Sequence, residues 1–168
     1  MRLAALFVPT ALVALILQSE VGGWLGWHLM MPDLVLILAV DLGLRHHELA
    51  AAIVAFAIGY ATDALSGASL GMNALTLTGV FLLSYEVSRW LITVNAAVAL
   101  ALVFGAVVVR DLADLLISSG LGALAGAGVV IPKILWQAAL TMVFAPPMFA
   151  LLRKLKQGIG LPVRGQRE

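Results

Sequence analysis

The chain has 168 residues, of which 62% are hydrophobic and only 11% charged, and its mean hydropathy is +1.08. Soluble domains carry about a quarter charged residues, so the composition excludes a soluble globular protein, a disordered tail and a nucleic-acid binder. Ten Lys+Arg against nine Asp+Glu leave a net charge of +1, and the absence of Cys excludes disulfides, thiolate chemistry and Cys-ligated metals.

The charges mark the spans. Charge-free runs fall at 3–19, 49–62, 64–85, 90–109, 115–132 and 134–152. A membrane-crossing helix needs about 17–25 apolar residues, because the hydrocarbon is roughly 30 Å thick and each residue rises about 1.5 Å. Lipid offers the backbone no hydrogen-bond partners, so such segments are helical, and a period-2 barrel pattern is absent. Six spans are predicted, near 3–19, 30–45, 48–64, 70–89, 93–117 and 131–152.

The first span has only Arg2 ahead of its apolar run and a poor cleavage site, "LILQSE", so it is read as an uncleaved helix rather than a signal peptide. The second is short and carries Asp41, four residues before Arg45 and on the same helix face. Its start is open, from near Trp24 onward, and a partly interfacial position is the alternative. "RHHE" follows as a turn, and the adjacent His46 and His47 make no metal cage without further ligands. The isolated His28 makes none either.

The third and fourth spans carry the clearest pattern, "AFAIGYATDALSGASLGMNALTLTG". Ala55, Gly59 and Asp63 share one face at i+4 spacing, and small residues there let another helix approach closely. That helix belongs either to a partner or to the same bundle. Gly67 and Gly71 bracket a tight turn, where Gly tolerates φ > 0. Asn73 either caps the fourth helix or bonds across to Asp63. Glu86 and Arg89 form a local pair at its other end.

The fifth span contains Arg110, Asp111 and Asp114, about 25 Å along the helix at 1.5 Å per residue. Arg110 and Asp114 can pair at i,i+4. The cluster either snorkels to the outer headgroups or forms a polar lining that faces the bundle or a partner. Arg110 and Asp63 fall at similar depth, which suggests that they approach each other. "GLGALAGAG" at 120–128 is an outer loop or a shallow re-entrant segment. The sixth span leads into the basic tail 153–168, expected to sit against anionic headgroups.

Six spans put both termini on one side. Arg2, Arg45, Arg89, Arg153, Lys154, Lys156, Arg164 and Arg167 then face Lys133 alone, which makes the termini cytoplasmic. Trp24, Trp27 and Trp136 fall near one interface and Tyr85 and Trp90 near the other, as an anchoring belt. No catalytic constellation appears: there is no HExxH, no P-loop and no Ser-His-Asp order with plausible co-location.

Three features resemble the bacterial rod shape-determining MreD family. One is "PDLVLILAV" with Pro32 and Asp33. Another is the run G-x-x-x-D-x-x-x-G-x-x-x-G-x-N-A, here Gly59, Asp63, Gly67, Gly71, Asn73 and Ala74. The third is the length with a basic tail. The resemblance implies an inner-membrane, non-enzymatic, cofactor-free subunit of the cell-wall elongation machinery. It would bind the membrane helix of MreC and join MreB, a SEDS-type glycosyltransferase and a class B penicillin-binding protein in lateral peptidoglycan synthesis, with homo-oligomers possible inside the larger complex. It also implies an all-α fold of six transmembrane helices, residues 1–152, similar to the substrate-binding subunits of energy-coupling-factor transporters. The competing readings are a small-molecule or lipid-binding transporter subunit and, more weakly, a membrane enzyme using the outer carboxylates.

Overall fold

The computed structural model describes residues 2–25, 31–46, 48–66, 71–90, 95–119 and 127–158. These form six helices: α1 (Arg2–Leu25), α2 (Leu34–Arg45), α3 (Leu49–Ser66), α4 (Met72–Trp90), α5 (Ala96–Ser119) and α6 (Ala127–Gly158). No strand occurs among the described residues. Two stretches, Ala96–Leu115 and Val130–Gly158, are long and apolar enough to cross a membrane, and Leu6–Gln18 and Leu49–Leu65 are shorter apolar stretches. The molecule is apolar on its outside as well as inside. Val13, Ile16, Phe56, Leu75, Leu83 and Val143 all face outward at half or more of their full exposure, a periphery suited to hydrocarbon and unsuited to water.

α2 organises the bundle. It packs against every other helix, and each residue from Val35 to Leu44 is buried. A helix that is apolar on all sides is a central one. Its twelve residues rise only about 18 Å, too few to cross about 30 Å of hydrocarbon alone. The reason lies at its ends. Pro32 and Asp33 start it inside the bundle, where Asp33 accepts the Leu36 N–H at 3.0 Å as N-cap. His46 ends it in extended backbone, with its N–H returned to the Leu42 carbonyl at 2.9 Å. Non-helical backbone at such depth is tolerated only when protein surrounds it. Gln18 of α1 supplies part of that cover, donating to the Pro32 carbonyl at 2.6 Å. Trp24 belongs to α1, which corrects the earlier start offered for the second span.

α4 is held by two glycine contacts. A Cβ on Gly59 of α3 would lie 2.5 Å from the Ala74 Cα and 2.7 Å from the Asn73 carbonyl oxygen. A Cβ on Gly43 of α2 would lie 2.5 Å from the Phe81 carbonyl oxygen and 2.7 Å from the Ser84 Cβ. Both are approaches to α4 that only glycine permits, and Ser88 adds a bond to the Leu44 carbonyl at 3.1 Å. α6 continues without a break through Pro132, Pro146 and Pro147 and runs six residues beyond the expected 152 boundary, to Gly158.

Gly59→Ala should lower stability by about 1–3 kcal/mol, because the obstacle is α4 backbone rather than a movable side chain. Gly79→Ala, where nothing lies within 4 Å, should be neutral or stabilising by up to about 1 kcal/mol. Unfolding followed in detergent checks the pair, and equal effects would contradict the close α3–α4 approach.

Candidate functional site

Two polar clusters interrupt the apolar interior, one toward each end of α2. The first gathers residues from five helices. Arg110 of α5 bonds Asp33 through one terminal nitrogen, and through the other it donates to the Asn73 side-chain oxygen at 2.6 Å. Asn73 of α4 donates its amide to Asp63 of α3 at 2.9 Å. The Asp33 backbone N–H donates to the Thr141 hydroxyl of α6 at 3.0 Å, and that hydroxyl donates onward to the Gln137 carbonyl at 2.8 Å. The chain of contacts therefore runs Asp63–Asn73–Arg110–Asp33–Thr141, from α3 through α4, α5 and the start of α2 to α6.

Asp63 does more than pair. Its carboxylate accepts the backbone N–H groups of Gly71 at 2.9 Å, Asn73 at 3.0 Å and Ala74 at 3.2 Å. The first N–H groups of a helix have no partner within it. Asp63 therefore caps α4 from the neighbouring helix, a charge-assisted arrangement at the positive end of the helix dipole. Gly71 delivers the chain into this cap at φ +97°, a left-handed conformation that suits glycine. Asn73 thus bonds across to Asp63, one of the two options its position offered, while Gly67 lies outside the described residues.

The face bearing Ala55, Gly59 and Asp63 is buried inside the bundle against α4. Of its two readings, close packing within the chain is the one the geometry occupies. Arg110 and Asp63 do share a depth, but Asn73 stands between them, and the carboxylate that Arg110 bonds directly is Asp33. This corrects the expected pairing. Asp114 is a looser neighbour of Arg110, at 3.9 Å and nearly half exposed. Asp111 is partly buried, and its Oδ2 has no hydrogen-bond partner among the described residues. Arg110 therefore turns inward rather than snorkelling outward. Pro32 and Asp33, carried only by the family resemblance, prove to be the structural centre of the cluster. Thr141 was not singled out, because a lone Thr in an apolar helix gives no signal when it bonds its own i−4 carbonyl.

The second cluster lies at the other end of α2. Asp41 is buried and accepts Arg45 Nε at 2.6 Å, the expected local pair. It also accepts Lys156 of α6. Lys156 is only 1% exposed, with its ammonium 5.1 Å from the Phe7 ring centroid of α1. Phe7 in turn meets the His46 ring edge-on at 5.9 Å. Lys156 therefore leaves the headgroup position expected for the tail. Its signal was present: Met148, Leu152 and Lys156 continue an i+4 stripe that is buried throughout. Glu86 and Arg89 pair at 3.2 Å on the exposed surface, as their spacing implied. No group of three or more His, Cys, Asp or Glu suited to a metal occurs among the described residues. Trp136 and Trp90 are exposed as anchors would be, while Trp27, His28, His47 and residues 120–126 lie outside the described residues.

An outward apolar surface around a central, polar-anchored helix defines an all-helical membrane protein whose charged side chains tie helices together. The family model described as "rod shape-determining protein MreD" matches residues 1–155, and the chain belongs to that family. It is accordingly a bacterial membrane protein of the rod-shape system, from a structural family and not from a known family of enzymes. No curated protein and no solved structure matches the chain, so the likeness to energy-coupling-factor subunits carries no argument here.

Breaking a buried ion pair on one side strands a charge, typically costing about 3–5 kcal/mol, whereas removing both partners costs less. Arg110→Gln and Asp33→Asn should each destabilise the detergent-solubilised protein by about that amount, and the double variant by less than their sum. Strict additivity in the double-mutant cycle would show that the two side chains do not interact.

Proposed function

We propose that the chain is a six-span subunit of the inner membrane with both termini cytoplasmic, and that it serves the elongation complex as a non-enzymatic scaffold. On this reading it holds MreC by that protein's membrane helix, in company with MreB, a SEDS-type glycosyltransferase and a class B penicillin-binding protein, and supports lateral peptidoglycan synthesis. The observation that carries the scaffold reading is the five-helix polar chain centred on Arg110. Its side chains turn inward and bond one another. A binding subunit for a small molecule instead needs convergent polar groups that stay available to a ligand. Membership of the family supports the same reading.

The orientation has support from the arrangement of charges. The Lys156–Asp41 and Ser88–Leu44 contacts bring the C-terminal ends of α2, α4 and α6 to one end of the bundle. Arg45, Arg89, Arg153, Lys154 and Lys156 therefore gather there, with exposed Lys133 near the start of α6 toward the other end. Such an excess of basic residues faces the cytoplasm.

Reporter fusions after Glu168 and after Ser119 should read cytoplasm and periplasm respectively, and the same side for both would refute six spans. Tagged protein purified from its own membranes should bring MreC with it. Recovery without MreC but with a stoichiometric small molecule, read by mass spectrometry, would overturn the scaffold in favour of a transporter-like subunit. Gly59→Leu should reduce the yield of the protein itself, because its face is occupied by α4.

A further inference from the structure

At the basic end, α2 and α6 form a shallow cleft lined by Asp41, Arg45, Phe149, Arg153 and Lys156. Its charges do not balance. Asp41 is shared between Arg45 and Lys156, so one carboxylate already faces two cations. Arg153 lines the same cleft, is exposed, and has no ion-pair partner among the described residues. The cleft thus carries three cations against one carboxylate. Arg45 uses its Nε for Asp41, which leaves its two terminal nitrogens to reach outward. Lys156 is fixed between Asp41 and the Phe7 ring and contributes charge without mobility.

A group that settles here must be anionic. The lining also indicates where that anion comes from. Phe149 and Arg153 are four apart on α6 and share one face, with the ring one turn deeper into the apolar bundle than the guanidinium. A charged turn followed by an apolar turn matches a molecule that is anionic at its head and apolar below it. A hydrated free ion has no use for the Phe149 surface. We propose that this cleft holds the phosphate of one anionic phospholipid headgroup. Arg153 and the terminal nitrogens of Arg45 donate to the phosphate oxygens, and an acyl chain passes Phe149. Clusters of Arg and Lys between helices at a membrane face recognise phosphate headgroups in this way. Only the choice of leaflet rests on the proposed orientation.

The test places the full chain in nanodiscs of equal phosphatidylglycerol and phosphatidylcholine, and counts by native mass spectrometry the lipid retained on release. The wild-type protein should keep about one phosphatidylglycerol in marked preference to phosphatidylcholine. Arg153→Gln should reduce that retention about tenfold, the loss of one charge-assisted contact. Lys154→Gln removes the same charge from the next residue, also exposed but outside the cleft, and should change retention by less than about twofold. Equal losses in the two variants would mean diffuse attraction to the surface and would overturn the site. Equal retention of the two lipids would also overturn it. Displacement of the lipid by millimolar inorganic phosphate would assign the cleft to a free anion instead. Both leaflets of the nanodisc carry the lipid, so the outcome is independent of topology and of MreC, whose failure the fusions and the co-purification read separately.

Discussion

The structure depends on what becomes of one guanidinium. An arginine within an apolar bundle costs a few kcal/mol on insertion scales unless its charge and its donors are met. Arg110 is met by Asp33 and Asn73, and this solution dictates much else. Asp33 must stand at the same level as Arg110, so α2 must begin inside the bundle rather than at its surface. α2 is therefore short, and its first N–H groups need a buried cap, which Asp33 also supplies. Asn73 must sit at the start of α4, and that start needs a cap of its own. Asp63 provides it from α3. Each polar group answers a requirement that its neighbour creates.

Such contacts matter more here than in a soluble bundle. Burying Leu against Leu gains little when lipid tails are equally apolar, so helix neighbours are selected by close packing and by hydrogen bonds. The two glycine contacts show the first device, bringing α3 and α2 onto the backbone of α4 at Gly59 and Gly43. The two carboxylates of α2 show the second. Asp33 and Asp41 are eight residues apart, about 12 Å along the helix, and each takes a cation from the α5–α6 side, Arg110 at one level and Lys156 at the other.

Much of this was legible in the sequence, and the residues show why some was not. The helix order and the α3–α4 turn followed from apolar runs and from the Ala55–Gly59–Asp63 spacing, which are local signals. The pairs Asp41–Arg45 and Glu86–Arg89 followed from i,i+4 and i,i+3 geometry. What failed were contacts between residues far apart in the chain. Arg110 and Asp63 have matching depths, but depth is one coordinate of three, and it could not distinguish Asp63 from Asp33 as the direct partner. Lys156 was assigned to the tail because a basic run reads as solvated, although the stripe Met148–Leu152–Lys156 continued the buried face of α6. Gly43 was overlooked between the more conspicuous Asp41 and Arg45, yet an isolated glycine inside a helical pattern often has a packing reason.

The division of contacts within the bundle leads to a last step. α5 and α6 pack extensively along each other, while α4 and α5 barely meet, so the α5–α6 pair joins the rest chiefly through α2. That junction is polar at both levels and apolar between them, with Val103 and Val107 of α5 and Ala138 and Ala145 of α6 fully buried in the core. Polar bonds are directional and lose most of their strength when misaligned by a fraction of an ångström, whereas apolar contacts in lipid can slide at little cost. The two carboxylates of α2 therefore set the register of α5–α6 against α1–α4, and the apolar layer between them only fills the space. A subunit that holds another protein's helix needs its outer surface kept in one shape, and in hydrocarbon that constancy comes from the register of its helices. The interior charges achieve this without facing the partner, which leaves the whole periphery apolar and available for contact.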